Sequence, residues 1–177
     1  MHVLAICGSL RAQSSNAAIL DAAAQLAPEG ARVERFAGLG DLPHFNPDLD
    51  VDPPPPAVVR WREALRTADA IAVSSPEYVH GVPGSLKNAL DWIVSSGEIS
   101  GKPLALLNTS RSSFATPQLR EILATMEARL VPEASITLHL WTNRVDAGAI
   151  LANDGARAAL RAAVAALVAS AREPAGA

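Results

Sequence analysis

Short apolar runs alternate with segments of helical periodicity along most of this chain. The runs are HVLAICG, ARVERF, DAIAVSSP, KPLALLN and ASITLHL. Runs that are apolar throughout are typical of strands buried on both faces of a sheet. Strands that alternate with helices predict a parallel sheet whose right-handed crossovers cover both faces. The sequence therefore predicts a doubly wound α/β fold with five strands.

Apolar side chains at helical spacing predict the helices between these strands. The third helix is expected to begin near Pro83 and to end at Gly97, because proline favours helix starts and glycine favours helix ends. The expected stripes are Ile19, Leu20, Ala23 and Leu26; Val58, Trp61 and Leu65; Leu86, Ala89, Leu90, Ile93 and Val94; Leu119, Ile122, Leu123, Met126 and Leu130; and Leu160, Val164, Leu167 and Val168.

Residues 38–56 carry six prolines and no apolar period. Such a stretch is either a long ordered loop or a partly mobile lid, and loops of this length usually have a function. His44, Phe45 and Asn46 lie in it and are candidates to cover the site of a neighbouring subunit. Trp92 is an alternative interface candidate, with a buried core position as the competing interpretation.

Composition limits the class of binding partner and the cellular compartment that we expect for this chain. The net charge is −3 and the basic residues are scattered, so the sequence lacks the clustered basic footprint of nucleic-acid binding and favours a small-molecule partner. Cys7 is the only cysteine, which excludes an internal disulfide and indicates a reducing, cytoplasmic setting, with Cys7 as inert packing. We expect no signal peptide and no membrane span. We also expect no metal, since His2 and His139 show no metal-ligand spacing.

The turn after the first predicted strand reads GSLRAQSSN. Free backbone N–H groups and the positive end of the helix dipole converge at such a turn, which favours an anion. Gly8 permits a tight turn, while hydroxyl, amide and guanidinium groups can donate hydrogen bonds to phosphate oxygens. The spacing matches neither the Walker pattern nor the dinucleotide fingerprint. The alternative is that Ser14 or Ser15 caps the helix and Arg11 is solvated.

The turn after the third predicted strand reads SSPEYVHGVPGSLKNALDW. Pro76, Gly81, Pro83 and Gly84 restrict or sharpen the backbone there, so that its polar groups can form a fixed edge against a planar ligand. Tyr78 and His80 add flat side chains with polar tips.

Together, GSLRAQSSN and PEYVHGVPGSLKNALDW closely resemble the NADPH-dependent FMN reductase family, which includes quinone, azo-dye and chromate reductases. The resemblance covers nearly the whole chain. It implies one flavodoxin-like domain over residues 1–177, with strand order 2-1-3-4-5 and helices on both faces. It also implies FMN as cofactor, NADPH or NADH as hydride donor, a small-molecule electron acceptor, and a homodimer or homotetramer.

By motif position, the resemblance implies that the phosphate ligands are Ser9, Arg11, Ser14 and Asn16. It implies that the flavin edge is lined by Pro76, Glu77, Tyr78, His80 and Gly81. Many members have Asn where this chain has Val79, so contact from that position is expected through the backbone.

The third turn, NTSRSSFATPQL, matches the last flavin-lining loop of the family and adds Ser110 and Arg111 as candidates. Our hypothesis is that Arg111 places positive charge near the pyrimidine side of the flavin and stabilises its anionic reduced form. The alternative is an exposed Arg111 that pairs with Glu121 or with solvent.

The resemblance implies ping-pong kinetics, with donor and acceptor using one exposed ring face in turn. No protein general acid is assigned, although Glu77 and Tyr78 are the nearest titratable groups. The rival functions are a flavodoxin-type electron carrier without its own NAD(P)H oxidation, and a sensor or structural subunit without flavin. The mild acidity and Arg11 favour the enzyme over the carrier, and the intact first turn argues against the third possibility.

Overall fold

A computed structural model describes residues 1–109, 113–140 and 145–173. The strands are β1 (His2–Cys7), β2 (Arg32–Arg35), β3 (Ala70–Ser74), β4 (Pro103–Asn108), β5 (Arg129–Leu130) and β6 (Ile136–Thr137). The helices are α1 (Ser15–Gln25), α2 (Pro56–Thr67), α3 (Gly84–Asp91), α4 (Ala115–Thr125), α5 (Ala147–Ala152) and α6 (Asp154–Ser170).

The strands form one parallel sheet in the order β2-β1-β3-β4-β5, and β6 pairs with β4 beyond the end of β5. This order is the flavodoxin-like one and confirms the predicted fold class. The predicted fifth strand, ASITLHL, contributes only Ile136–Thr137. A 3₁₀ turn at Pro132–Ala134 separates the two edge segments, since proline lacks the N–H that a continuous strand needs.

Two predicted helices are shorter than expected. Helix α3 ends at Asp91 instead of Gly97. Val94, which the predicted apolar stripe included, lies after the helix and is exposed. Helix α4 ends at Thr125, and Glu127 then adopts a left-handed φ of 58°, which no helix can continue through. Leu130 therefore lies on β5 and not on the helix. Helix α5 was not predicted.

The sheet separates two hydrophobic cores. One lies under α1, α5 and α6, and the other lies under α2, α3 and α4. Val58, Trp61 and Leu65 of α2 are fully buried, as their spacing predicted. Trp92 is fully buried as well, which agrees with the core interpretation of this residue.

The proline-rich loop is anchored to α3 and the turn after it. The carbonyl oxygen of Pro43 accepts hydrogen bonds from Asn88 Nδ2 at 2.9 Å and from Trp92 Nε1 at 2.8 Å. The Phe45 N–H donates to Asn88 Oδ1 at 2.7 Å, and the Phe45 ring packs edge-on against Trp92. The loop is therefore ordered, and Phe45 packs within its own chain while His44 is exposed.

A partly buried guanidinium holds the far end of the same loop. Arg62 Nη2 donates to Asp50 Oδ1 at 2.7 Å, and Ser95 Oγ donates to Asp50 Oδ2 at 2.6 Å. The hydrogen bond from Ser95, then that from Arg62, lowers the pKa of the Asp50 carboxyl, because both favour its charged form. Within the described residues, no helix has both the length and the apolar character to cross a membrane.

Candidate functional site at the carboxyl edge of the sheet

Three turns meet at the carboxyl edge of the sheet, where doubly wound folds bind ligands. They follow β1, β3 and β4, and hydrogen bonds between polar side chains join them in pairs. Ser9 Oγ and Tyr78 OH are 3.4 Å apart, and Ser15 Oγ and Thr109 Oγ1 are 3.3 Å apart. Ser74 Oγ donates to Asn16 Oδ1 at 3.0 Å. The first and second predicted turns are thus neighbours in space.

Gly8 sets how closely the first two turns approach. Its N–H donates to the carbonyl oxygen of Ser74 at 2.8 Å. A Cβ at this position would lie 2.9 Å from Ser75 Oγ and 3.1 Å from Leu86 Cδ2. The first of these distances is shorter than real Cβ contacts, so any other residue at this position would require the Ser75 side chain to move.

Helix α1 presents an open N-terminus to this edge. Its first N–H groups have no partner within the helix, and its first turn contains no acidic residue. Ser14 precedes the helix with extended backbone, but across the described ranges its side chain makes no capping hydrogen bond. The hydroxyl of Ser15 bonds to Thr109. The helix dipole and these N–H groups therefore point to an anion at this place.

The predicted phosphate ligands differ in their surroundings. Ser9 and Asn16 are buried, Ser14 is partly buried, and Arg11 is exposed. The backbone N–H of Arg11 donates to Ser9 Oγ at 3.3 Å, which folds the turn back on itself. Because Asn16 Oδ1 accepts from Ser74, the amide nitrogen is the group through which Asn16 can donate to an anion.

Cys7 lies beneath this turn. Its thiol donates to the carbonyl oxygen of Ser9 at 3.4 Å, and burial raises its pKa above the ordinary value. A buried thiol with a raised pKa is a poor nucleophile, which agrees with the predicted packing role.

The second turn is a tight bend in unusual backbone. Tyr78 and Gly81 exchange two backbone hydrogen bonds of 3.0 Å, and between them Val79 and His80 have φ values of 50° and 55°. Positive φ at both central residues is the pattern of a type I′ turn, which favours Asn and Gly. A β-branched residue is rare there, and the Val79 side chain is fully exposed.

This bend is fastened to the start of α4. Glu77 Oε2 accepts hydrogen bonds from the backbone N–H groups of Phe114 at 3.0 Å and Ala115 at 2.9 Å. The His80 ring stacks on Phe114 at a centroid distance of 4.1 Å. The Val82 N–H donates to Gln118 Oε1 at 2.8 Å. Phe114 and Gln118 lie within the third motif, NTSRSSFATPQL, but nothing in the sequence singled them out as site residues.

The candidate site has one polar end and one apolar end. The open helix start and Arg11 lie on the first turn, whereas Tyr78, Val79 and Phe114 are exposed apolar or aromatic side chains on the second and third turns. Pro76 and Gly81 of the predicted flavin edge are partly buried within the second turn. Ser110 and Arg111 lie outside the described residues, so their assignment stays a prediction.

The chain is similar to several known proteins. The model of the NADPH-dependent FMN reductase family matches residues 1–143. An NAD(P)H-dependent FMN reductase of Pseudomonas aeruginosa is 37% identical over 163 residues, which cover 89% of this chain and 88% of the relative. A quinone reductase of Pseudomonas putida is 36% identical over 76% of each chain. The flavoenzyme FerB, an NAD(P)H:(acceptor) oxidoreductase from Paracoccus denitrificans, superposes with a TM-score of 0.76 at 26% identity over 96% of each chain.

Proposed function

This chain belongs to the NADPH-dependent FMN reductase family, and we propose that it is an FMN-containing NAD(P)H oxidoreductase that reduces quinones and similar small acceptors. One observation carries the proposal. The open N-terminus of α1 and the exposed bend after β3 are joined through the hydrogen bond between Ser9 and Tyr78. This contact supports the proposal, because a turn suited to an anion then lies next to a flat, partly apolar one, and FMN is a ligand with one phosphate end and one planar end.

When bound, FMN supplies the redox chemistry by accepting a hydride from NAD(P)H and passing electrons to the acceptor in a second half-reaction. The protein holds and orients the cofactor. In this proposal Ser9, Arg11, Ser14 and Asn16 bind the phosphate together with the first N–H groups of α1. These groups are the neutral and charged donors that a dianion requires.

The bend orients the ring. Pro76, Glu77, Tyr78, Val79, His80 and Gly81 form the flavin edge in this proposal, with Ser110 and Arg111 approaching from the third turn. Val79 contributes its backbone, because its side chain points into solvent.

Proton delivery needs no dedicated residue in this proposal. Glu77 Oε2 already accepts two backbone N–H groups, so the carboxylate has a structural task. An acceptor that binds at an exposed edge can take its proton from water. Donor and acceptor that use the same open ring face in turn give ping-pong kinetics.

The proposal extends to partners and compartment. The acceptor is a small molecule, and neither nucleic acid nor a membrane is required. We propose that residues 1–177 act as one FMN-binding domain in a cytoplasmic homodimer or homotetramer, as the family resemblance implies.

The decisive experiment uses purified protein loaded with FMN under anaerobic conditions. We expect the yellow flavin absorbance to bleach when NADPH or NADH is added alone, and to return when a quinone follows. Bleaching only in the presence of a separate reductase would favour the flavodoxin-type carrier. Folded protein that takes up no FMN in a calorimeter would reject both.

A further inference from the structure

We propose that Glu77 and Gln118 are positioning residues that clamp the bend after β3 to helix α4 and thereby hold the flavin edge in its binding conformation. The clamp is defined here as Glu77, Gln118 and the N–H groups they bind. The inference rests on the proposed function only for the identity of the ligand. The contacts themselves belong to the protein without ligand.

The first half of the clamp is a helix cap supplied from far along the chain. Helix α4 begins after Phe114, whose side chain carries no hydrogen-bonding group, and its first turn contains no acidic residue. Glu77 supplies the missing acceptor from 37 and 38 residues away, at 3.0 Å and 2.9 Å. A carboxylate at a helix N-terminus is favoured both by these hydrogen bonds and by the helix dipole.

The second half holds the other side of the bend. Gln118 Oε1 accepts from the Val82 N–H at 2.8 Å, and it lies 3.6 Å from the place where a Cβ on Gly81 would be. Glu77 precedes the left-handed pair Val79 and His80, and Val82 follows it. Hydrogen bonds therefore connect the N-terminal part of α4 to the bend on both sides.

The clamp matters because the bend is in a disfavoured backbone conformation. L-residues avoid left-handed backbone, and a β-branched residue avoids it most. Two backbone hydrogen bonds between Tyr78 and Gly81 close the turn, but nothing in the local sequence favours positive φ at Val79. Contacts from outside the bend therefore stabilise the turn, and those of Glu77 and Gln118 with the start of α4 are among them, as is typical of strained functional loops.

If the clamp is released, the bend populates other conformations and only part of the protein is ready to bind. The apparent dissociation constant for FMN rises by the inverse of the competent fraction, so a bend that is formed in about one molecule in ten binds about tenfold more weakly.

The experiment compares four variants of the full-length protein. Glu77→Ala and Gln118→Ala each release one half of the clamp. Glu77→Gln keeps an oxygen that can accept both N–H groups. Glu121→Ala removes an exposed carboxylate from the same helix and is the matched control.

Two readouts are used. Hydrogen exchange on the apoprotein follows the N–H groups of Ala115 and Val82. Fluorescence titration gives the dissociation constant for FMN. We expect faster exchange at Val82 and about tenfold weaker FMN binding in Glu77→Ala and Gln118→Ala. Glu77→Gln should keep most of the exchange protection at Val82 and most of the affinity for FMN. Glu121→Ala should match the unaltered protein in both measurements.

Unchanged exchange and affinity in Glu77→Ala and Gln118→Ala would overturn the inference. Equal losses in Glu77→Gln and Glu77→Ala would also overturn it, because the effect would then depend on the carboxylate charge and not on the hydrogen-bond acceptor that holds the bend. If Glu77→Ala does not fold, Gln118→Ala decides, since Gln118 is an exposed surface residue. If the unaltered protein binds no FMN, the proposed function fails, while the exchange of Val82 still tests the clamp.

Discussion

Among the described residues, Val79 is the one whose local conformation conflicts most with its side-chain type. It has a φ of 50° and its side chain is fully exposed, so replacing it removes little packing. Asparagine tolerates left-handed backbone, and the penalty for other L-residues is about 1–2 kcal/mol. We expect Val79→Asn to raise the free energy of unfolding by about 1 kcal/mol, measured by urea denaturation.

Val94→Asn is the matched control for that prediction. Val94 is also an exposed valine, but its φ is not positive. If both substitutions changed the free energy of unfolding by the same amount, backbone strain at Val79 would not be the cause.

Gly8 permits the close approach of the first two turns. Gly8→Ala forces Ser75 or Leu86 to move, and overpacking of this kind typically costs about 1–3 kcal/mol of stability. Gly84→Ala is the control, because a Cβ there meets no atom within 4 Å and the position lies at the start of α3. Thermal melting should show a lower midpoint for Gly8→Ala, and an unchanged or higher one for Gly84→Ala. Equal midpoints would contradict the steric argument.

Arg11 tests the identity of the anion. If its guanidinium binds the FMN phosphate, Arg11→Ala should weaken FMN binding about 10- to 100-fold, the equivalent of ~1.5–3 kcal/mol for a hydrogen bond to a charged group. Riboflavin, which lacks the phosphate, should bind both proteins equally. Calorimetry with Arg60→Ala, an exposed arginine on α2, is the control. A similar loss for riboflavin would mean that Arg11 acts on the ring or on the fold.

Among the elements, the proline-rich loop depends on a charged anchor. Asp50 has a pKa below the ordinary value because Ser95 and Arg62 stabilise its charged form. A carboxyl of this kind adds stability that is complete above its unfolded pKa of about 4, and that is lost as the pH falls through the lower folded pKa. We therefore expect urea midpoints between pH 6 and pH 3 to fall less steeply in Asp50→Asn than in the unaltered protein.

Asp48→Asn on the same loop is the control for this pH dependence, since Asp48 is exposed. It should follow the unaltered protein. A parallel pH profile for Asp50→Asn would show that the contacts of Pro43 and Phe45 with Asn88 and Trp92 hold the loop without the charged anchor.

At the scale of the whole molecule, the prediction concerns assembly. We expect sedimentation velocity to show a homodimer or homotetramer. If the exposed His44 covers the site of a neighbouring subunit, specific activity should fall on dilution as the oligomer dissociates. A monomer with full activity would contradict the shared site.

The alternation of apolar runs with helical stripes was sufficient to predict the layered α/β fold, because burial on both faces of a parallel sheet demands such runs. The two motifs of the first and second turns were sufficient to place the candidate site at one edge, since the carboxyl ends of parallel strands share that edge. The ends of α3 and α4 were predicted wrongly, because the apolar period continues into turn and strand residues such as Val94 and Leu130.

The sequence by itself determined which residue types stand at the ends of β1 and β3, and therefore what class of ligand this edge suits. Only the tertiary structure decided what those residues touch. Ser9 meets Tyr78 across 69 residues, and Glu77 reaches the start of α4 across 38. Contacts of this kind follow from how the strands are ordered in the sheet and how each helix packs on it, and no local pattern of side chains encodes that geometry.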